Sequence, residues 1–244
     1  MVRSFLPPES WPAGSEIKLS GREAHHLSRV LRVRPGDRVT LFDGEGREAE
    51  AIVGRVGAQE VLLKLGPIRL RPPSPWEITL ALAVPGNVKM DEIVNQAIQL
   101  GAGRIVPLVT ERTVTRFTPE RWRSRQERLN RVAVEAAKQC GVSRLPAVES
   151  LTRWQELLES FPSYDLILMA SVEGPHEPLA SVLAEKPAKN ILLLIGPEGD
   201  FTREETETAA AQGARRFSLG PTILRCETAA ASALSILNFL LRKG

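Results

Sequence analysis

The sequence predicts an α/β protein in two parts: a small β-barrel over residues 1–70, and a largely parallel sheet with helices on both faces over residues 76–244. Three observations carry this. Residues 1–70 hold short segments of alternating apolar and polar residues, divided by Gly-, Pro- and Asp-rich turns at roughly 8–12-residue spacing, as in small all-β units. From residue 76 onward, short apolar runs bounded by turn signals alternate with stretches of helical periodicity, the pattern of strands buried on both faces. Between the two parts, Arg71-Pro72-Pro73-Ser74-Pro75 forms a stiff, extended linker over residues 71–75.

In the first part, Glu16–Leu19, Arg38–Phe42, Glu50–Val53 and Val61–Leu65 read as strands. Turns fall at Pro35-Gly36-Asp37, at Asp43-Gly44-Glu45-Gly46 and over residues 54–57. One helix interrupts them. Ser20 with Glu23 three residues on makes a capping box, and Ala24, Leu27, Val30 and Leu31 share a face. The same stretch carries Arg22, His25, His26, Arg29, Arg32 and Arg34. These form either a solvated basic face or a patch that holds phosphates without reading bases. The histidine pair has no further His or Cys at ligand spacing, so no metal is expected there.

In the second part, Trp76–Val84 is the first strand. Met90, Ile93, Val94, Ala97 and Ile98 then follow a helical stripe that Gly101 ends. Arg104–Val109 is a strand, and Pro119–Lys138 a helix with Trp122, Leu129, Val132, Ala133, Ala136 and Ala137 inward. Ala147-Val148 is a short strand, Thr152–Ser160 a helix, Asp165–Ala170 a strand, and a helix lies near Pro178–Ala184. Two strand-turn-helix units close the chain. Ile191–Ile195 runs into Gly196-Pro197-Glu198-Gly199, and Phe217–Leu219 into Gly220-Pro221. Thr202 with Glu205 caps the helix after the first turn, and Thr228 opens the Ala-rich helix after the second. Six strands thus alternate with six helices.

At 244 residues, 43% hydrophobic and 25% charged, the composition is that of a soluble globular protein, long enough for a substantial core. No apolar run approaches the roughly 20 residues of a spanning helix, and the first residues lack a signal-peptide core, so a cytoplasmic location is expected. Cys140 and Cys226 offer neither a disulfide framework nor metal spacing. Net charge is only +3, yet residues 104–144 hold ten basic residues against four acidic ones, so the rest of the chain is net negative. Arg112, Arg116, Arg121, Arg123, Arg125, Arg128 and Arg131 lie in that stretch, a localised charge suited to RNA.

Two glycine-bearing turns beyond the carboxyl ends of strands let main-chain groups approach a small molecule closely. They match neither a Walker loop nor a dinucleotide fingerprint, so the residues alone leave the ligand open. IGPEGDFTREE followed by LGPTILRCETAA resembles the cofactor segment of the SPOUT, or trefoil-knotted, RNA methyltransferases. More narrowly, it is similar to the bacterial enzymes that methylate N3 of a uridine in 16S ribosomal RNA. REAHHLSRVLRVRPGD resembles the PUA-like RNA-binding β-barrel of the same family. KMDEIVNQAIQLGAGRIVPLVTERTVTR and RVAVEAAKQCGVSRLP extend the likeness over essentially the full length.

The resemblance implies a trefoil knot, S-adenosyl-L-methionine as cofactor and S-adenosyl-L-homocysteine as product. It implies a pocket bounded by residues 168–172, 196–201 and 219–229. There Leu219, Gly220, Ile223 and Leu224 would hold the adenine, and Gly196 and Gly199 would leave room for ribose and methionine. Ala170 would close the third side, with Arg225, Glu227, Thr228 and Ala229 beside them. Uridine N3 carries a proton. Glu227 would accept it or orient the base, or else is a carboxylate favoured at a helix N-terminus; Arg225 would stabilise charge on the uracil carbonyls. Cys226 lacks a His partner and reads as a packing residue. RNA contacts are expected at Arg22, His25, Arg29, Arg32, Arg34, Arg112 and Arg116. The implied partners are 16S rRNA in the small ribosomal subunit and a second copy of the chain, with no membrane. The helix Ala229–Leu241, with Leu234, Leu237 and Leu240, suits either a subunit contact or packing on the sheet. Lys89 stands where ribose-methylating relatives of the family carry Arg, which disfavours ribose chemistry. The rival readings are a SPOUT methyltransferase acting on another RNA base or ribose position, and a non-catalytic RNA-binding or ribosome-assembly protein.

Overall fold

Residue contacts in the computed structural model, which describes residues 2–12, 14–86, 90–114, 117–185 and 187–242, divide the chain into two units. Met1–Pro73 and Val134–Leu145 form one, and Ser74–Ala133 with Pro146–Gly244 the other.

The first unit is a five-stranded sheet of β1 (Val2–Phe5), β2 (Glu16–Ser20), β3 (Arg38–Phe42), β4 (Arg47–Val56) and β5 (Glu60–Leu70). Their order is β1-β3-β4-β5-β2, with β1 parallel to β3 and the other pairs antiparallel. Strand alternation sends Ala49, Ala51 and Val53 of β4, and Val61, Leu63 and Leu65 of β5, into one apolar core with Val39 and Leu41. β1 was not foreseen: its four residues show no clean apolar alternation, and their pairing comes from β3.

The helix after β2, α1 (Gly21–His25), departs from expectation in two ways. The Ser20 side chain caps nothing, and the Glu23 carboxylate, the other half of the expected capping box, is engaged elsewhere. It accepts from Ser4 Oγ, from the Phe5 N–H at 3.2 Å and from Lys138 Nζ. Val30 and Leu31, expected inward, are 59% and 41% exposed. The helix widens into a π turn over His26–Val30, in which Leu31 N donates to His26 O. The extra residue rotates the apolar stripe, and Val33 takes the buried place after Arg32 at φ +54°.

Residues 134–145 join this unit through polar groups. Glu48, 7% exposed, accepts from Ser143 Oγ at 2.7 Å and from Arg71 Nε at 2.6 Å. Arg3 donates to Ser143 Oγ at 2.7 Å and lies over the Phe42 ring. Gly46 N donates to Ser143 O, and Leu145 N to Gly44 O.

The second unit is built on a seven-stranded sheet. Its elements are β6 (Glu77–Ala83), α2 (Met90–Gln99), β7 (Arg104–Val109), α3 (Pro119–Cys140, its residues from Val134 on counting with the first unit), β8 (Ala147–Val148), β9 (Thr152–Arg153) and α4 (Trp154–Ser160). There follow β10 (Leu166–Ala170), α5 (Leu179–Glu185), β11 (Asn190–Ile195), α6 (Arg203–Ala211), β12 (Arg215–Phe217) and α7 (Cys226–Leu241). The order is β12-β10-β11-β6-β7-β8, with β9 also on β7, and every described pair is parallel. Alternate residues Ile167, Met169, Leu192 and Leu194 pack with Trp154, Leu157 and Ala209 of α4 and α6 on one face. α7 meets β6, β11, α2 and α5 on the other.

Three boundaries differ from the sequence reading. Thr152-Arg153 pairs with the end of β7 as a strand, so α4 starts at Trp154, which is anchored by burial. β12 stops at Phe217, and α7 begins at Cys226, so Thr228 sits inside its first turn. Gly101 ends α2 as expected: at φ +87° it donates to Ile98 O, while Ala102 N donates to Ala97 O. Leu234 and Leu237 are fully buried within the chain, which gives them the packing role. Among the described residues no helix is long and apolar enough to cross a membrane.

The Glu48 cluster makes the first unit sensitive to acid. Burial alone would raise the Glu48 carboxyl. Hydrogen bonds from Ser143 and Arg71, with the charges of Arg71 and Arg3, outweigh burial and hold it below the usual carboxylate range. A depressed folded pKa contributes stability that is present at neutral pH and is lost as pH falls through it. Glu48→Gln is therefore expected to cost about 1–3 kcal/mol in denaturant unfolding at pH 7, with the gap from wild type closing in acid below the carboxylate range. A gap that persists unchanged at low pH contradicts this account.

Candidate functional site

The parallel register brings three strand ends level. Ala170 of β10 stands opposite Ile195 of β11 on one side and Phe217 of β12 on the other. The turns that follow, residues 171–178, 196–202 and 218–225, therefore leave one edge of the sheet together. They enclose a cavity of about 990 Å³. This is the carboxyl edge of a parallel sheet, where such folds collect ligands.

Of the residues expected to meet a cofactor, Ala170, Gly196, Gly199, Leu219, Gly220, Ile223, Leu224 and Ala229 line the cavity. Arg225, Glu227 and Thr228 are not among its lining residues, although Leu224, Cys226 and Ala229 around them are. Arg225 is exposed and occupies the N-cap of α7. Glu227 is half-buried in the first turn of that helix, and its Oε2 is buried with no hydrogen-bond partner among the described residues.

The glycines also have reasons within the protein itself. A Cβ at Gly196 would meet Asp200 Oδ1 at 3.0 Å and the Phe201 ring at 3.1 Å, so this glycine admits its own turn. At Gly199 the space belongs to Arg112 Cδ, 3.3 Å away. Gly220 has open space around it and is required by its backbone, at φ +123°. Its N–H donates to Ser218 Oγ at 3.1 Å.

The turn after β11 is braced from several sides. Glu205 closes the expected capping box, accepting from Thr202 N at 2.9 Å, and its other oxygen accepts from Glu111 N at 2.9 Å. Glu198 accepts from Gly86 N at 3.0 Å. Arg112, expected to hold RNA, donates to the carbonyls of Gly199 and Phe201 and lines the cavity. Arg116 and Lys89 lie outside the described residues. In the first unit His25, Arg29, Arg32 and Arg34 are exposed, and Arg22 is 3.6 Å from Glu135.

Sequence reasoning missed six charged residues that also line the cavity: Glu173, Glu198, Asp200, Arg203, Glu207 and Arg216. Glu198 and Asp200 were visible within the turn motif, but nothing in their spacing told which side chains face inward. Arg216 enters through strand pairing with Met169.

Two family descriptions match the chain: an RNA methyltransferase domain over residues 72–238, and an RNA methyltransferase PUA domain over residues 19–66. The chain belongs to the RNA methyltransferase family. Similar members include the ribosomal RNA small subunit methyltransferase E of Synechocystis, 31% identical over 92% of this chain and 73% of that protein. The Aquifex aeolicus protein of the same name is 31% identical over 93% of this chain and 96% of its own length. A crystal structure of the Neisseria gonorrhoeae protein of that name, bound to S-adenosyl methionine, superposes with a TM-score of 0.88 at 29% identity, covering 98% of each chain.

In this family member Cys226 is a wall of the cavity and carries no reactive character. It is 4% exposed, and its thiol donates to Gly196 O at 3.3 Å. Burial first, then the charges of Glu198 and Glu227, push the thiol up to about 11. At pH 8, iodoacetamide should therefore label half-buried Cys140 of the native protein while Cys226 stays unmodified. Peptide mapping checks this, and preferential labelling of Cys226 would contradict the assignment.

Proposed function

We propose that this protein is an S-adenosylmethionine-dependent methyltransferase that methylates N3 of a uridine in 16S rRNA of the small ribosomal subunit. The observation that carries the reading is the cavity assembled from the Gly196–Gly199 and Leu219–Leu224 turns. Its support is the family membership, with relatives named for small-subunit rRNA methylation and one of them bound to S-adenosyl methionine.

The residues present fit that cofactor. Ala170, Leu219, Ile223 and Leu224 offer apolar surface for an adenine ring, and the two turns offer main-chain groups. Glu198 and Asp200 bring negative charge to the same walls, in keeping with a cationic ligand. When bound, the cofactor supplies an electrophilic methyl group on a sulfonium.

The chain's own contribution is to hold the acceptor in line and to take its proton. An unpaired buried carboxylate oxygen costs roughly 1–3 kcal/mol, and Glu227 Oε2 is such an oxygen among the described residues. Accepting the N3 proton of uridine would satisfy it. The lone pair freed on N3 then becomes the nucleophile, and Arg225 at the N-cap of α7 stabilises the charge that spreads to the uracil carbonyls. Arg22, His25, Arg29, Arg32 and Arg34, with Arg112 and Arg116, are the proposed phosphate contacts. The trefoil path of the last segment, a homodimer and the PUA-like role of the first unit belong to the same proposal.

Glu227→Gln tests the chemical core. It should leave the S-adenosylmethionine dissociation constant within about twofold and lower single-turnover methyl transfer to small subunits by roughly 100-fold or more. Near-full turnover in this variant sinks the assignment of Glu227 as the base.

A further inference from the structure

The turn after β11 contains an aspartate where the backbone favours glycine. Asp200 has φ +60°, and among the described residues only Arg32 shares that left-handed region without being glycine. Aspartate tolerates it better than most residues. A residue kept there still points to a job for its side chain.

The carboxylate is fully engaged. Oδ1 accepts from Phe201 N at 2.8 Å, and Oδ2 accepts from Val172 N at 2.9 Å. The first bond shapes the turn itself. The second crosses to the segment that follows the neighbouring strand β10. Gly196, lacking a Cβ, leaves the space into which Asp200 Oδ1 fits.

That segment is tied to β12 on its other side. Ser171 N donates to Phe217 O at 3.2 Å, Glu177 N donates to Arg216 O at 2.8 Å, and the Glu177 carboxylate pairs with Arg215. These ties fix its two ends. Between them, residues 172–176 run along the cavity wall, and Val172 is 52% exposed. Toward the turn after β11, the Val172–Asp200 bond links the two walls among the described residues, and it is a bond to a charged acceptor, stronger than a neutral one.

We infer that Asp200 is a positioning residue: its carboxylate latches the 171–176 segment to the 196–201 turn and so sets the width of the cavity before any ligand enters. The inference rests on the reading that this cavity holds S-adenosylmethionine. A wall ordered in advance spares the ligand the cost of ordering it, so the latch contributes to affinity without touching the ligand.

The test compares wild type with Asp200→Gly and Asp200→Asn by calorimetric titration with S-adenosylmethionine and by amide hydrogen exchange. Glycine relieves the backbone and removes the latch. It should bind about tenfold more weakly, the scale of one hydrogen bond to a charged group, with faster exchange at 172–176 in the free protein. Asparagine keeps one side-chain oxygen and should fall between glycine and wild type; it carries the test alone if the glycine variant does not fold. If both variants bind like wild type and exchange at 172–176 is unchanged, the latch is refuted. Wild-type exchange with and without S-adenosylmethionine separates the two ideas. Protection at 171–176, 196–201 and 219–224 upholds the cavity reading whatever the variants do. Protection at none of them overturns that reading, and the role given to Asp200 falls with it.

Discussion

The parallel register of β10 with its two neighbours is the constraint on which the site depends. Because Ala170 faces both Ile195 and Phe217, three strands end at one level and three turns emerge side by side. A slip of one residue in either pairing would exchange the side chains between the two faces of the sheet. It would also pull one turn back from the other two. Leu168, Met169, Leu193 and Leu194 are fully buried, so both faces of these strands are packed and a shift of register would disturb the packing on each.

On this platform the walls are made rigid by polar groups aimed at main chain. Arg112 takes two carbonyls of the 196–201 turn, Glu205 takes two N–H groups, and the Cys226 thiol takes the carbonyl of Gly196. The Glu227 oxygen without a partner among the described residues stands apart from this pattern. In a neighbourhood where carboxylates and guanidiniums serve the backbone, this unsatisfied oxygen is the observation on which the proposed role of Glu227 rests.

Much of this was legible in the sequence, and the failures have physical causes. Most strands from β6 onward and the caps at Thr202 and Gly101 followed from periodicity and turn chemistry, whereas the convergence of the Gly196 and Gly220 turns was implied by the family resemblance. The β9 strand was read as the start of the helix that follows it, because its two residues are a strand only through pairing with Leu108 and Val109 of β7. Val30 and Leu31 were assigned inward because a 3.6-residue period was assumed, and the π turn at His26–Val30 breaks it. The contacts that Gly196 and Gly199 make within the protein, with Phe201 and Arg112, were not legible because these side chains become neighbours only in three dimensions. The same holds for residues 134–145, which join the first unit through Ser143 and Glu48, 95 positions apart.

Tritiated-methyl transfer from S-adenosylmethionine to small ribosomal subunits from a strain lacking this gene, followed by nucleoside analysis, tests the central claim most directly. The account predicts label in 3-methyluridine. Label in a different nucleoside would contradict the assigned atom while leaving a methyltransferase. Absence of label from both subunits and free 16S rRNA, with no measurable cofactor binding, would contradict the enzymatic reading altogether.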